Sequence, residues 1–344
     1  MELNYIYFIY GLCCMFYLMM AWLFLRKKDN RPARFVAALM VIIEIGCVKD
    51  LFFLSEPVYK IRHLWTVMTA LDMVAVPLYV FVLKELCRPG SVTRKTVFWQ
   101  IAPFVVLPAL YIITSLSLFY IIEVVWAAAY GLFYAVWTIF AIPSYNRMLK
   151  QQFSYEENIN LEWLKSILAF FFLILSLWIL DSVFISIDIE AVYLVASMVL
   201  WMFLGYFIYR HETVIGELRA PEEITADLLP EESQMSMNIR KLFDEEKVFL
   251  NPNLKLSDVA AKVGSNRTYV SRFFNSEQNT TFFDFVNGYR VAYAEELLKT
   301  SDEKIEIIAE RSGFNSRQSF HRVFLKVKGI TPEKFRTSEN FGGG

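Results

Sequence analysis

The stretch "LSDVAAKVGSNRTYVSRFF", Leu256 to Phe274, divides at Gly264 into two short amphipathic pieces. In the first, Val259, Ala260 and Val263 share one face, Ser257 is the expected N-cap with Asp258 in the first turn, and Gly264 closes the helix. In the second, which runs to about Asn275, Val270 and Phe274 stand at i, i+4 and face inward. Its other face presents Arg267, Thr268, Ser271 and Arg272. Two short helices joined by a glycine turn have the shape of a helix-turn-helix.

The same layout recurs in "IAERSGFNSRQSFHRVF", Ile308 to Phe324. Ala260 and Gly264 match Ala309 and Gly313 at an offset of 49, whereas Val270, Arg272 and Phe274 match Phe320, Arg322 and Phe324 at 50. The second unit therefore has one more residue in its turn. Between the two, "FFDFVNGYRVAYAEELL" makes an amphipathic helix that would hold them at a fixed separation. Two recognition helices on one rigid body can enter successive major grooves, about 34 Å apart.

These two units, the helix between them and the closing "GITPEKFR" (Gly329–Arg336) resemble the AraC/XylS-type DNA-binding domain of bacterial transcription regulators. The wording "FFDFVNGYR" is especially similar to that of membrane-bound regulators and hybrid sensors of Bacteroidetes. The resemblance covers about 100 of the 344 residues. It implies that Thr268, Ser271 and Arg272 read bases from the first recognition helix, and Arg317, Gln318, His321 and Arg322 from the second. The chemistry agrees, since Arg can fork onto guanine and Gln onto adenine in the major groove. Arg267, Lys326 and Lys328 are assigned to phosphates, which position a protein without reading sequence. Leu325 stands where the family usually has a basic residue, which removes a phosphate contact and leaves the base-reading face intact. From Met237 to Arg336 there are 17 Lys and Arg against 13 Asp and Glu, a modest excess of the right sign.

The rest of the chain is different in kind. It is 56% apolar overall with a formal net charge of -1, but those averages hide a sharp asymmetry. A bilayer core of about 30 Å needs about 20 apolar residues in a helix. Seven segments meet or approach that length, at 3–25, 35–54, 64–83, 97–114, 118–140, 163–187 and 191–209, with only "SLS" (Ser115–Ser117) between the fourth and fifth. The first is not read as a cleavable signal peptide, because its positive cluster follows it. Cys13, Cys14, Cys47 and Cys87 lie in or beside these runs and form no CxxC pair or disulfide framework. A C-terminal half without cysteine fits a reducing cytosol.

Lys and Arg set the orientation. Arg26, Lys27, Lys28, Arg31 and Arg34 follow the first span; Lys84, Arg88, Arg94 and Lys95 follow the third; Arg147 and Lys150 follow the fifth. The other side has only Lys60 and Arg62. Seven spans with the amino terminus outside put every rich loop, and the C-terminal domain, in the cytoplasm of a bacterium, with the bundle in its inner membrane. Inside the spans lie Glu44, Lys49, Asp50, Asp72, Glu123 and Asp181. At 1.5 Å per residue, Asp50, Glu123 and Asp181 come roughly 6–10 Å below the outer boundary and Asp72 roughly 12 Å. With Lys49 as partner they form a candidate ligand pocket, or else a set of internal bonds that fix helix packing. Pro77, Pro103 and Pro108 also fall within spans, where proline kinks a helix.

The resulting expectation is an all-α chain. A seven-span sensor bundle occupies residues 1–209, an acidic linker 210–236, the double helix-turn-helix domain 237–336 and a tail 337–344. Its expected partners are double-stranded DNA, the bilayer, an unidentified small-molecule or protein signal, and a second copy of the chain in a homodimer. No phosphate-cradling glycine loop is present, and His63, His211 and His321 have no metal-ligand spacing, so no enzyme activity, cofactor or metal is expected. The rival readings are a transporter or channel with a regulatory DNA-binding tail, and a tail released by proteolysis.

Overall fold

The computed structural model describes residues 2–27, 30–53, 62–157, 159–184, 187–210 and 232–342. Among them every regular element is a helix, and the sole strand-like feature is an isolated antiparallel bridge between Phe153 and Lys255. The chain divides into two compact units. One comprises Met1–Tyr145 with Leu161–Ile215, and the other Asn146–Asn160 with Gly216–Gly344.

The first unit contains α1 (Glu2–Leu25), α2 (Arg31–Phe53), α3 (Arg62–Asp72), α4 (Ala75–Cys87), α5 (Arg94–Ile101), α6 (Pro103–Thr114), most of α7 (Ser117–Gln152), α8 (Glu162–Phe184) and α9 (Ile187–Arg210). α1 packs on α2 and α9, α2 on α4, and α8 on α9. At Gly205 of α9 the Met20 side chain of α1 fills the space a Cβ would take. Among the described residues, five stretches are long and apolar enough to cross a membrane: Tyr5–Leu25, His63–Cys87, Arg94–Thr114, Ser117–Gln152 and Ile187–Arg210. α2, with Glu44, Lys49 and Asp50 along its length, stands outside that set although it is a 23-residue helix; α8 is as long, but several of its side chains lie outside the described residues.

Proline explains two interruptions. α4 starts two residues before Pro77, and α6 starts at Pro103. Proline has no N–H to donate and its ring clashes with the carbonyl four residues back, so the hydrogen-bond ladder is interrupted there even though Ala102, before Pro103, keeps helical dihedrals (φ -48°, ψ -45°). Pro108 and Pro143 lie inside continuous helices. The short "SLS" does separate two helices, because Ser115 takes a left-handed conformation (φ 54°) that ends α6.

The second unit adds α10 (Glu232–Asp244), a 3-10 turn at Val248–Leu250, α11 (Leu256–Lys262), α12 (Arg267–Arg272) extended by a π-helical turn (Phe273–Glu277), α13 (Phe282–Thr300), α14 (Ile305–Arg311), α15 (Arg317–Lys328) and α16 (Pro332–Gly342). It has two cores. Phe243, Phe249, Val259, Val270, Phe273 and Phe274 close one with Phe282 and Val286 of α13. Ile308, Phe314, Phe320, Phe324 and Phe335 close the other with Phe283, Val291, Ala294 and Leu298 of α13. Each fully buried Phe contributes roughly 1.5–3 kcal/mol by burial, so α13 is bound to both cores and fixes one to the other. α11 starts before Ser257, which is therefore not its cap. Lys255 occupies that position, and its N–H donates to the Asp258 carboxylate at 2.9 Å. The acidic linker falls mostly at 211–231, outside the described residues.

Candidate functional site

Two helix-turn-helix units, α11–α12 and α14–α15, stand on α13. Asn266 caps α12 by accepting the Tyr269 N–H at 3.1 Å, and Ser316 caps α15 by accepting the Ser319 N–H at 3.2 Å. Gly264 (φ 65°) and Gly313 (φ 81°) make the turns, and the caps follow them by two and three residues respectively. The additional residue in the second turn is thus where the sequence offset put it. Gly313 has a further reason to lack a side chain: a Cβ would lie 2.6 Å from the Phe249 carbonyl oxygen.

Val270 and Phe274, and Phe320 and Phe324, point into the cores. The opposite faces carry the residues expected to meet DNA. Thr268 and Arg272 are exposed with Ser271 half-buried, and Arg317, Gln318 and Arg322 are exposed with His321 half-buried. Several of these cations lie against carboxylates of the same unit. Arg317 is 2.5 Å from Glu306 and 3.2 Å from Glu333, which also lies 3.0 Å from His321. Of the expected phosphate ligands, Arg267 begins α12, Lys326 lies 2.7 Å from Asp284, and Lys328 pairs with Glu295. Burial alone would raise the Asp284 carboxyl, but hydrogen bonds from Lys326 and Thr281 hold it below its ordinary value. Hydrogen bonds from Lys328 and Lys299 do the same for Glu295. At Glu333 burial is outweighed by its own backbone N–H and by His321 and Arg317.

A second feature lies beside α15. Arg290 of α13 is 1% exposed. Its guanidinium donates to the carbonyls of Phe249 (2.8 Å), Asn251 (2.7 Å) and Ser154 (3.0 Å) and to Ser154 Oγ (3.0 Å). Burial lowers its pKa to about 10, with Glu157 opposing. Asn287 Nδ2 also donates to the Ser154 carbonyl, at 3.2 Å. The segment that follows α7 is therefore built into this unit. It carries Glu156 to 2.8 Å from Arg322 Nη2, and Glu157 accepts from Ser316 Oγ (3.3 Å) and from Ser319 Oγ.

Residues 259–338 match the family described as "Helix-turn-helix domain". The chain is 34% identical over 83 residues to the uncharacterized HTH-type transcriptional regulator YtdP of Bacillus subtilis, covering 24% of this chain and 11% of that protein. It is 33% identical over 111 residues to the regulatory protein PocR of Salmonella typhimurium, covering 32% and 35%. The chain thus spans well under half the length of these relatives. Among solved structures, the C-terminal domain of AraT, a response regulator from Geobacillus stearothermophilus, is similar at 28% identity over 33% of this chain and 88% of that one, with a TM-score of 0.28. The C-terminal domain is of AraC type. The sequence reading of this AraC-type domain included Arg290 in a matching motif but gave it no role, and passed over Ser154, Glu156 and Glu157. Their contacts with Arg290, Arg322 and Ser316 span more than 130 positions, where no local spacing reveals them.

In the other unit, Lys49 Nζ lies 3.0 Å from Asp50 and 2.8 Å from Asp72, and it donates to the Met68 carbonyl at 3.2 Å. Three of the five residues expected at a pocket thus form one cluster. Glu123 is fully buried, and neither carboxylate oxygen has a hydrogen-bond partner among the described residues. Asp181 lies in α8, and its side chain is outside the described set. Sequence reading missed the buried Glu190, which accepts from the Tyr10 hydroxyl and ties α9 to α1.

Proposed function

We propose that this protein is a membrane-bound one-component regulator, in which a seven-span sensor bundle with its amino terminus outside is joined to a cytoplasmic, sequence-specific DNA-binding domain. The observation that carries the reading is the pair of capped recognition helices fixed to one 19-residue helix, about 28 Å long at 1.5 Å per residue, in a chain whose other unit exposes large apolar side chains along its helices. Phe8, Phe52, Ile113 and Phe140 are 72–79% exposed, which suits lipid and not water. Thr268, Ser271 and Arg272 read one groove and Arg317, Gln318, His321 and Arg322 the next, while Arg267, Lys326 and Lys328 hold phosphates. Lys49, Asp50 and Asp72, with Glu123 and Asp181 in neighbouring spans, form the pocket whose occupation changes helix packing. A ligand shifts such an equilibrium only if it binds one packing better than the other.

The test is base reading. Operator fragments that co-purify with the intact protein define a site, and Arg322→Ala and Arg272→Ala each cost about 1–3 kcal/mol there. Preference relaxes at two positions about 10 base pairs apart, one for each variant. Uniform weakening on every sequence would reduce both residues to phosphate contacts.

A further inference from the structure

We propose that residues 153–157 are a built-in competitor of DNA, an acidic segment seated on the second helix-turn-helix unit that must leave before α15 can enter a groove. This rests on the reading of α15 as a groove reader. The seat is specific. The Ser154 N–H donates to the Leu254 carbonyl at 3.2 Å and its hydroxyl donates to the same oxygen at 2.7 Å, so the segment adds to 254–255 as a short strand would. Phe153 and Tyr155 are buried, and the Ser154 carbonyl is gripped by Arg290 and Asn287.

So anchored, the segment carries two carboxylates to the places a phosphate would take. Ser316 is the N-cap of the 12-residue α15 and Ser319 lies in its first turn. The positive end of a helix is where DNA phosphates bind, and there Glu157 bonds both hydroxyls. Glu156 meanwhile holds Arg322 at 2.8 Å. A guanidinium fork turned to a carboxylate is not available to the O6 and N7 of guanine. The segment begins directly after Gln152, the last residue of α7, and α8 starts at Glu162, so its two ends continue into apolar helices. A rearrangement of those helices reaches the seat through the chain itself.

The experiment uses the full-length protein in lipid nanodiscs and a fluorescent duplex pool of randomised sequence. The variant E156Q/E157Q keeps side-chain shape and removes the competing charge, and it should bind the pool about 5- to 150-fold more tightly than the wild type. E245Q/E246Q, which removes the same charge from exposed side chains of the same unit, should change binding much less. Equal gains in both variants, or no gain in the first while the wild type binds, overturn the proposal and leave base reading standing. No binding by any of the proteins removes base reading and the competitor together. Hydrogen exchange on the wild type needs no substitution: the Ser154 amide should lose protection when duplex binds, and unchanged protection in the bound state overturns the proposal.

Discussion

Arg290 and Arg322 carry the same side chain in opposite settings. Arg290 is buried, and its hydrogen bonds go to backbone carbonyls and to Ser154 and Asn287, which stand in for the water it has lost. Arg290→Met keeps the volume but removes the donors, at about 1–3 kcal/mol for each buried acceptor left unmade. Arg322 is exposed, so Arg322→Ala should change stability by about 0.5 kcal/mol or less. Chemical unfolding of the two variants checks this contrast; equal losses would mean that Arg290 is not a structural hub. Asp284 has a pH signature. Its folded-state pKa is depressed, so its contribution is present above the ordinary value of 3.8 and is lost as pH falls through the depressed one. Asp284→Asn should therefore destabilise the domain at neutral pH, and its difference from wild type should shrink as pH drops below about 4. Unfolding midpoints across a pH series measure it.

At the scale of elements, both helix-turn-helix units were legible because their determinants are local: apolar residues at i, i+4, a glycine turn, and an offset that grows from 49 to 50. The cap of α11 was misread because Ser257 is the better capping residue by type. The chain instead satisfies the Lys255 N–H with Asp258 and starts the helix earlier. The break before α4 was legible only in part, since proline marks a kink but not whether the helix resumes on its old axis. The two turn glycines, alike in sequence, differ in surroundings. Nothing lies within 4 Å of a Cβ at Gly264, whereas at Gly313 it would strike the Phe249 and Leu250 backbone. Gly264→Ala should cost the left-handed conformation alone, about 1–2 kcal/mol. Gly313→Ala should cost more, because backbone cannot swing aside as a side chain can. Parallel unfolding curves decide it, and equal losses would deny the close approach.

At the scale of the molecule, the apolar unit was legible as a set of long helices, because length and hydropathy need no partner to be read. The grouping of its charges was legible for Lys49, Asp50 and Asp72, since one residue's rise along each helix sets depth. It was not legible for Glu190, placed by sequence at a span's edge and by the fold against Tyr10. The proposed orientation rests on Lys and Arg. In sequence, Arg26, Lys27, Arg31 and Arg34 cluster about the α1–α2 junction, Lys84, Arg88, Arg94 and Lys95 about the α4–α5 junction, and Arg147 and Lys150 near the end of α7. In the proposed seven-span topology positive loops stay in the cytoplasm, which puts the stretch near Glu190 outside and the chain after Arg210 inside. A reporter active only outside the cytoplasm should therefore work when fused near Glu190 and stay silent when fused after Arg210. The reverse pair of outcomes would put the AraC-type domain where there is no DNA to read, and the proposed function would fall with it.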